Sequence, residues 1–240
     1  MQKLFVDYIP ENKITLEGEQ ARHIAKSLRM KKGDMLTLTC CDGFDRGCII
    51  DSIDGNTVTL EVCYTQASDS EPSVKVRLYQ SVPKGDKLED IVQKCTELGI
   101  SEVTPVLTCR SISRPDEKAA SKKQARYQKI ALEAAQQSGR GIIPQINKMT
   151  SLENAVKSDD SELKILFYEG GGEPLNKLID KNIKSASIYI GPEGGFDKKE
   201  VELLENAGAR VATLGKRILR TQTAPVAALT AIMLLTGNLE

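Results

Sequence analysis

SASIYIGPEGGFDKKEVELLENAG, residues 185–208, decides the fold. Its first six residues form a short apolar run ended by glycine, as a buried strand would be. Asp197 and Glu200 then make a D-x-x-E pair. The aspartate side chain satisfies a free amide of the first turn, and the glutamate reaches back to the cap residue. That pair opens a helix over KKEVELLENA, and Gly208 closes it. Strand, glycine loop and helix in this order are the unit of an α/β domain with a largely parallel sheet. GPEGG itself, residues 191–195, is either a tight strand–helix turn or a ligand loop. It lacks the Lys-Ser/Thr pair of a P-loop and is not GxGxxG. Glu193 in its middle would repel a phosphate. A carboxylate beside accessible backbone groups better suits a ligand with a cationic or hydrogen-bond-donating part.

The same alternation extends in both directions. VKVRLYQSV reads as a strand and GDKLEDIVQKCTELG as a helix, with Leu88, Ile91, Val92, Cys95 and Leu98 at helical spacing and Gly99 as its stop. SEVTPVLT is strand-like, and DEKAASKKQARYQKIALEAAQQSG is a long helix. LKILFYE (163–169) and RVATL are further strands. The segment from about Thr223 to Thr236 is helical and apolar nearly all round. Its apolar run, APVAALTAIMLL, is well short of the about 20 residues that cross a membrane.

Before Val74 the pattern differs. MLTLTC (35–40), GCIID (47–51) and TVTLEV (57–62) are short β-rich runs separated by the turn signals Asp42-Gly43 and Asp54-Gly55-Asn56. Together with one helix-like insert, EQARHIAKSLRM, they imply a small β-barrel module. TQASDSEP (65–72) lacks periodicity and reads as a linker. Arg22, Lys26 and Arg29 share a face of the insert at i, i+4, i+7, and Lys31 and Lys32 follow; the opposite face, Ala21, Ile24, Ala25 and Leu28, is apolar. The basic stripe is either a solvated edge or a contact for a phosphate backbone.

Bulk composition narrows the classes. The 240 residues carry 33 Lys+Arg and 33 Asp+Glu, so only a local basic face could attract nucleic acid. With no Trp and few aromatics, a base-stacking platform is disfavoured. The six cysteines form no CxxC pair and His23 is the single histidine, which argues against a zinc site and favours free thiols in a reducing cytoplasm. MQKLFVDYIPENK has no signal-peptide core. A cytoplasmic protein with no metal is expected.

A second loop, LGKRILRTQTA (214–224), follows the strand RVAT. Open α/β sheets bind ligands outside the carboxyl ends of their strands, so the two loops could form one cleft. Lys216, Arg217 and Arg220 are either a solvated basic edge or cations aimed at a phosphate or at charge developing in a reaction. Glu133, Gln137 and Arg140, near the end of the long helix, read as surface groups or as further cleft residues.

RHIAKSLRMKKGD, KGDKLEDIVQKCTELGISEVTPV, RYQKIALEAAQQSGR, IGPEGGF and LGKRILRTQTA, in this order and over most of the chain, resemble the successive motifs of the bacterial ribosomal RNA small subunit methyltransferase E family. The resemblance implies a SPOUT-class enzyme using S-adenosylmethionine. It implies a PUA-like β-barrel over residues 1–70 and a trefoil-knotted α/β methyltransferase domain with a mostly parallel sheet over 71–240. It also implies a homodimer and methylation of uridine N3 in 16S ribosomal RNA of the small subunit. Carried over by position, Ile190, Gly191, Gly194, Leu214, Gly215, Ile218 and Leu219 line the cofactor site. Arg220 serves catalysis or orients substrate, Glu193 is a candidate base beside Glu133, Glu169 and water, and Arg22, Lys26 and Arg29 contact RNA. One departure is Gln222, where the family pattern has Glu; an amide cannot act as a general base. The alternatives are a related enzyme for another RNA nucleotide and a non-catalytic RNA-binding assembly factor.

Overall fold

A computed structural model describes residues 2–10 and 12–239. The chain divides into two compact units, Met1–Glu71 with Ala135–Ile142, and Pro72–Ala134 with Ile143–Glu240.

The first unit holds β1 (Lys3–Phe5), β2 (Lys13–Glu17), α1 (Gly18–Arg22), β3 (Met35–Thr39), β4 (Phe44–Asp54) and β5 (Thr57–Ala67). They form a five-stranded sheet in the order β1-β3-β4-β5-β2. β1 runs parallel to β3, and the other ladders are antiparallel. β2 alternates strictly, with Ile14 and Leu16 inward, so one face covers a core of Leu36, Leu38, Ile50, Val58 and Leu60. β4 and β5 each run eleven residues, longer than the apolar runs suggest. Register shifts at Gly47/Cys48 and Ile50/Ser52 bend the hairpin and carry it past its apolar part. Part of the expected linker is therefore strand: Thr65, Gln66 and Ala67 pair with Arg46, Asp45 and Phe44. Beyond it, Glu71 takes a bond of 2.6 Å from the Arg140 guanidinium and one of 2.9 Å from the Gly141 amide, which ties residues 140–142 into the unit.

The expected helix over residues 19–30 is also different. α1 gives way to a π-helical turn, His23–Ser27, and Arg29 lies beyond it at φ 54°. The amides of Leu28 and Met30 bond back to the carbonyls of His23 and Ile24. The wider winding changes the spacing, so an i, i+4, i+7 stripe does not describe these residues. Arg22, Lys26 and Arg29 are nevertheless all exposed.

The second unit contains β6 (Lys75–Ser81), α2 (Lys87–Glu97), β7 (Glu102–Leu107), the part of α3 (Glu117–Ser138) up to Ala134, β8 (Gln145–Ile146), β9 (Thr150–Ser151) and α4 (Leu152–Ser158). Then come β10 (Leu163–Phe167), β11 (Glu173–Pro174), β12 (Ser185–Ile190), α5 (Lys198–Asn206), β13 (Arg210–Thr213) and α6 (Ala224–Leu235). The strand order is β11-β13-β10-β12-β6-β7-β8 with β9 beside β7, and every ladder is parallel. One face, with Val76, Leu78 and Ile188, packs on α2, α3 and α6 through Ile91, Tyr127 and Leu229. The other, with Tyr79, Leu166 and Tyr189, packs on α4 and α5 through Ala155 and Leu204. Tyr79 and Tyr189, directly opposite in the β6–β12 ladder, stack with centroids 4.6 Å apart. Burial on both faces explains why these strands are apolar without a break. Among the described residues, no helix is long and apolar enough to cross a membrane.

Candidate active site

Because the sheet is parallel, the loops that leave its strands all emerge at one edge. β12, β10 and β13 are adjacent there. The segments following them, around residues 191–195, 168–169 and 214–221, line one cavity of about 520 Å³.

GPEGG is folded back on itself. The Gly195 amide bonds the Pro192 carbonyl at 3.0 Å, and a Cβ on Gly191 would lie 3.2 Å from the Gly195 main chain. Gly195 has φ 67°, and a Cβ there would run into the Glu169 carboxylate. The left-handed φ favours glycine at Gly195, and the main-chain approach leaves little room for a side chain at Gly191. Arg110 crosses over the loop and donates to the Gly194 carbonyl at 2.6 Å. The capping box of α5 is complete: Asp197 accepts from the Lys199 amide, and Glu200 accepts from the Asp197 amide.

Glu193 points away from any unpaired state. Its carboxylate accepts from Lys87 Nζ at 2.5 Å and from the Lys84 amide at 3.2 Å. Partial burial acts to raise its pKa, but the hydrogen bonds from Lys87 and the backbone amides outweigh that and hold it below the ordinary glutamate range. A carboxylate so committed is a weak proton acceptor and a good brace. Glu169 contrasts with it: exposed at the cavity, it has no hydrogen bond or ion pair among the described residues.

Every cofactor-site residue expected from the sequence reaches the cavity: Ile190, Gly191, Gly194, Leu214, Gly215, Ile218 and Leu219. Arg220 and Glu193 line it too, as do Lys216 and Arg217. Ile218 is 84% exposed, the most open large apolar side chain described. The Arg220 carbonyl accepts from Thr223 and Ala224 where α6 begins, while its exposed side chain makes no hydrogen bond or ion pair among the described residues. Gln222 is absent from the cavity wall, although Thr221 and Ala224 belong to it. Glu133 is exposed, 3.9 Å from Lys129 and not part of the wall. Arg22, Lys26 and Arg29 belong to the first unit. Among the described residues no three His, Cys, Asp or Glu side chains converge as a metal site requires.

Sequence reasoning missed Lys84, Lys87 and Arg110, which hold the loop from other segments. It also missed Gln80, a buried amide at the end of β6. The signal for Gln80 was present: one polar residue facing the apolar side of a buried strand.

Residues 70–233 match the RNA methyltransferase domain family, and residues 16–63 match the RNA methyltransferase PUA domain. The ribosomal RNA small subunit methyltransferase E of Bacillus subtilis is 35% identical, over 97% of this chain and 96% of its own. This chain belongs to the ribosomal RNA small subunit methyltransferase E family. The family enzyme of Neisseria gonorrhoeae, crystallised bound to S-adenosyl methionine, is 28% identical with a TM-score of 0.90 over 98% of each chain. A Legionella pneumophila methyltransferase in complex with bound cofactor SAM is also 28% identical, with a TM-score of 0.87 over 97% of this chain and 96% of its own. The parallel α/β sheet preceded by a small β-rich module, as expected of a SPOUT-type enzyme, is the fold this chain shares with them.

Proposed function

We propose that this chain transfers a methyl group from S-adenosylmethionine to N3 of a uridine in 16S ribosomal RNA of the small ribosomal subunit. One observation carries the reading. GPEGG and LGKRILR, two motifs of the family resemblance, form two walls of a single cavity. Its volume of about 520 Å³ suits a small-molecule cofactor, for which sites span about 300–1,000 Å³. The fit is also chemical. Gly191 and Gly195 present main chain at the wall, and Ile190, Leu214, Ile218 and Leu219 offer apolar cover.

When bound, S-adenosylmethionine supplies an electrophilic methyl group on a sulfonium. Uridine N3–H is a weak acid and must lose its proton for N3 to attack. Arg220 supplies a guanidinium for the negative charge that spreads onto the flanking carbonyl oxygens. Glu193, tied to Lys87, holds the loop in shape, and Glu169 is the cavity carboxylate available to take the proton. Gly194, held by Arg110, and Gly215 add backbone groups to the cofactor wall.

In this reading residues 1–70 form a PUA-like module that holds RNA through Arg22, Lys26 and Arg29, and residues 71–240 form the trefoil-knotted methyltransferase domain. The enzyme works in the cytoplasm as a homodimer.

The test is methyl transfer from labelled S-adenosylmethionine to small subunits lacking the modification, compared with naked ribosomal RNA. Nucleoside mass spectrometry should then find 3-methyluridine. Methylation at another nucleoside, or binding without transfer, overturns the reading.

A further inference from the structure

The end of β6 carries a polar group where the surrounding sheet is apolar. Gln80 is fully buried and lies opposite Ile190, the last residue of β12 before GPEGG. It shares the face of Val76 and Leu78, which meets α2 and α6. Its Nε2 donates to the Ser81 carbonyl at 3.0 Å and to Thr221 Oγ1 at 3.2 Å. Thr221, 6% exposed, in turn donates its hydroxyl proton to the Gly191 carbonyl at 2.9 Å. The direction of this chain is determined. The single Thr221 proton goes to Gly191, so its oxygen can only accept, and Ser81 also offers an acceptor. Only the amide nitrogen of Gln80 satisfies both.

Part of this arrangement works against folding stability. Gln80 Oε1 and Ser81 Oγ are buried without a hydrogen-bond partner among the described residues. An unpaired buried amide oxygen is unfavourable, and an apolar side chain of similar size would avoid it. What Gln80 contributes is geometry. Among the described residues, the Thr221 hydroxyl makes the hydrogen bond that joins Gly191 of one cavity loop to the other loop.

We propose that Gln80 and Thr221 are positioning residues: a buried clasp that sets the separation of the GPEGG and LGKRILRT loops before the cofactor arrives. The proposal rests on the reading of the cavity as an S-adenosylmethionine site. Neither residue reacts. The clasp lowers the ordering needed on binding, so its loss raises the dissociation constant and KM for the cofactor more than it lowers kcat at saturation.

The experiment uses the full-length chain. Cofactor affinity is measured by calorimetry, cofactor KM and kcat on small subunits, and thermal unfolding on the same samples, for the parent, Gln80→Leu, Thr221→Val and Thr221→Ser. Gln80→Leu should weaken cofactor binding and raise KM about tenfold, as expected for one hydrogen bond in a preorganised site, while its melting temperature stays equal to or above the parent's. Thr221→Val should behave alike, and Thr221→Ser, which keeps the hydroxyl, should restore near-parent affinity. The double variant should bind no more weakly than either single one, because both break the same chain. Parent-like affinity in both Gln80→Leu and Thr221→Val overturns the clasp. So does an affinity loss that Thr221→Ser fails to restore. If Gln80→Leu does not fold, the amide is needed for stability and the clasp as stated is overturned; the Thr221 pair reads the affinity effect independently. A parent protein that binds no S-adenosylmethionine defeats the cofactor reading instead, a result separate from any variant.

Discussion

Lys87 Nζ lies 2.5 Å from Glu193 Oε1, joining the first turn of α2 to the middle of the glycine loop. The Lys84 amide donates to the same carboxylate. Arg110 holds the next residue, Gly194, from the segment after β7. The loop that looked self-contained in sequence is thus held by two other strand–helix connections. Its acidic residue is one end of a strut.

Glu193→Gln separates brace from base. The amide keeps a hydrogen-bonding shape but loses the ion pair, so cofactor affinity should fall about two- to fivefold, the range of a partly exposed pair. The depressed pKa makes the parent carboxylate ionised throughout the neutral range. Its support is present above the ordinary glutamate range and is lost only as pH falls through the lowered value. The pH–rate profile of methyl transfer should therefore keep its shape between about pH 6 and 9. Loss of an ascending limb in that interval would restore Glu193 as the base.

Arg220→Ala should keep cofactor binding within about threefold and lower single-turnover methyl transfer by about 10²- to 10³-fold, the usual size for one charge-stabilising donor. Calorimetry and rapid-quench transfer measure the two quantities. Equal losses in both would make Arg220 a binding residue rather than a catalytic one.

Gly195→Ala and Gly208→Ala make a controlled comparison. Both glycines have positive φ, 67° and 86°. An added Cβ at Gly195 meets Glu169, whereas nothing lies within 4 Å of one at Gly208, just past α5. Each substitution should cost about 1 kcal/mol or more in backbone strain. Only Gly195→Ala should also weaken cofactor binding, by about tenfold or more. Equal affinities in the two variants would contradict a built loop.

Asp42→Asn tests the first unit. Arg46 Nη2 lies 2.6 Å from Asp42 Oδ2, and the Arg46 side chain is only 7% exposed. The Arg46 hydrogen bond is the main cause holding the Asp42 pKa far below the aspartate range, against some burial. A depressed carboxylate pKa stabilises above the unfolded-state value, about 3.9, and that stabilisation fades as pH falls below it. The variant should be about 1–3 kcal/mol less stable at pH 7, because it leaves a buried guanidinium without its counter-ion. The difference should shrink below about pH 4. Hydrogen exchange of β3 and β4 amides across pH follows it, and a pH-independent difference would reject the assignment.

Much of the second unit was legible because its elements declare themselves locally. The Asp197–Glu200 box starts α5 where expected, and the spacing of Leu88, Ile91, Val92 and Cys95 matches the buried face of α2. α4 and the two-residue strands β8, β9 and β11 carry too little pattern to be read. In the first unit, local pattern failed at Thr65–Ala67 and at His23–Ser27. The first is strand because β4 supplies its partners. The second is wound by hydrogen bonds to carbonyls five and six residues back.

For the site, the two glycine loops could be named from sequence, since glycines after strands and a carboxylate between them are local facts. Which carboxylate is engaged was not local. Glu193 and Glu169 look alike in sequence, yet only Glu193 meets Lys87, which lies 106 positions away. Gln80 reaches Thr221 across 141 positions. Residue type, turn chemistry and periodicity by themselves determined the longer strands and helices of the second unit and the two loops that could hold a ligand. Only the tertiary structure decided which polar groups are paired, because pairing depends on distances set by the order of strands in the sheet.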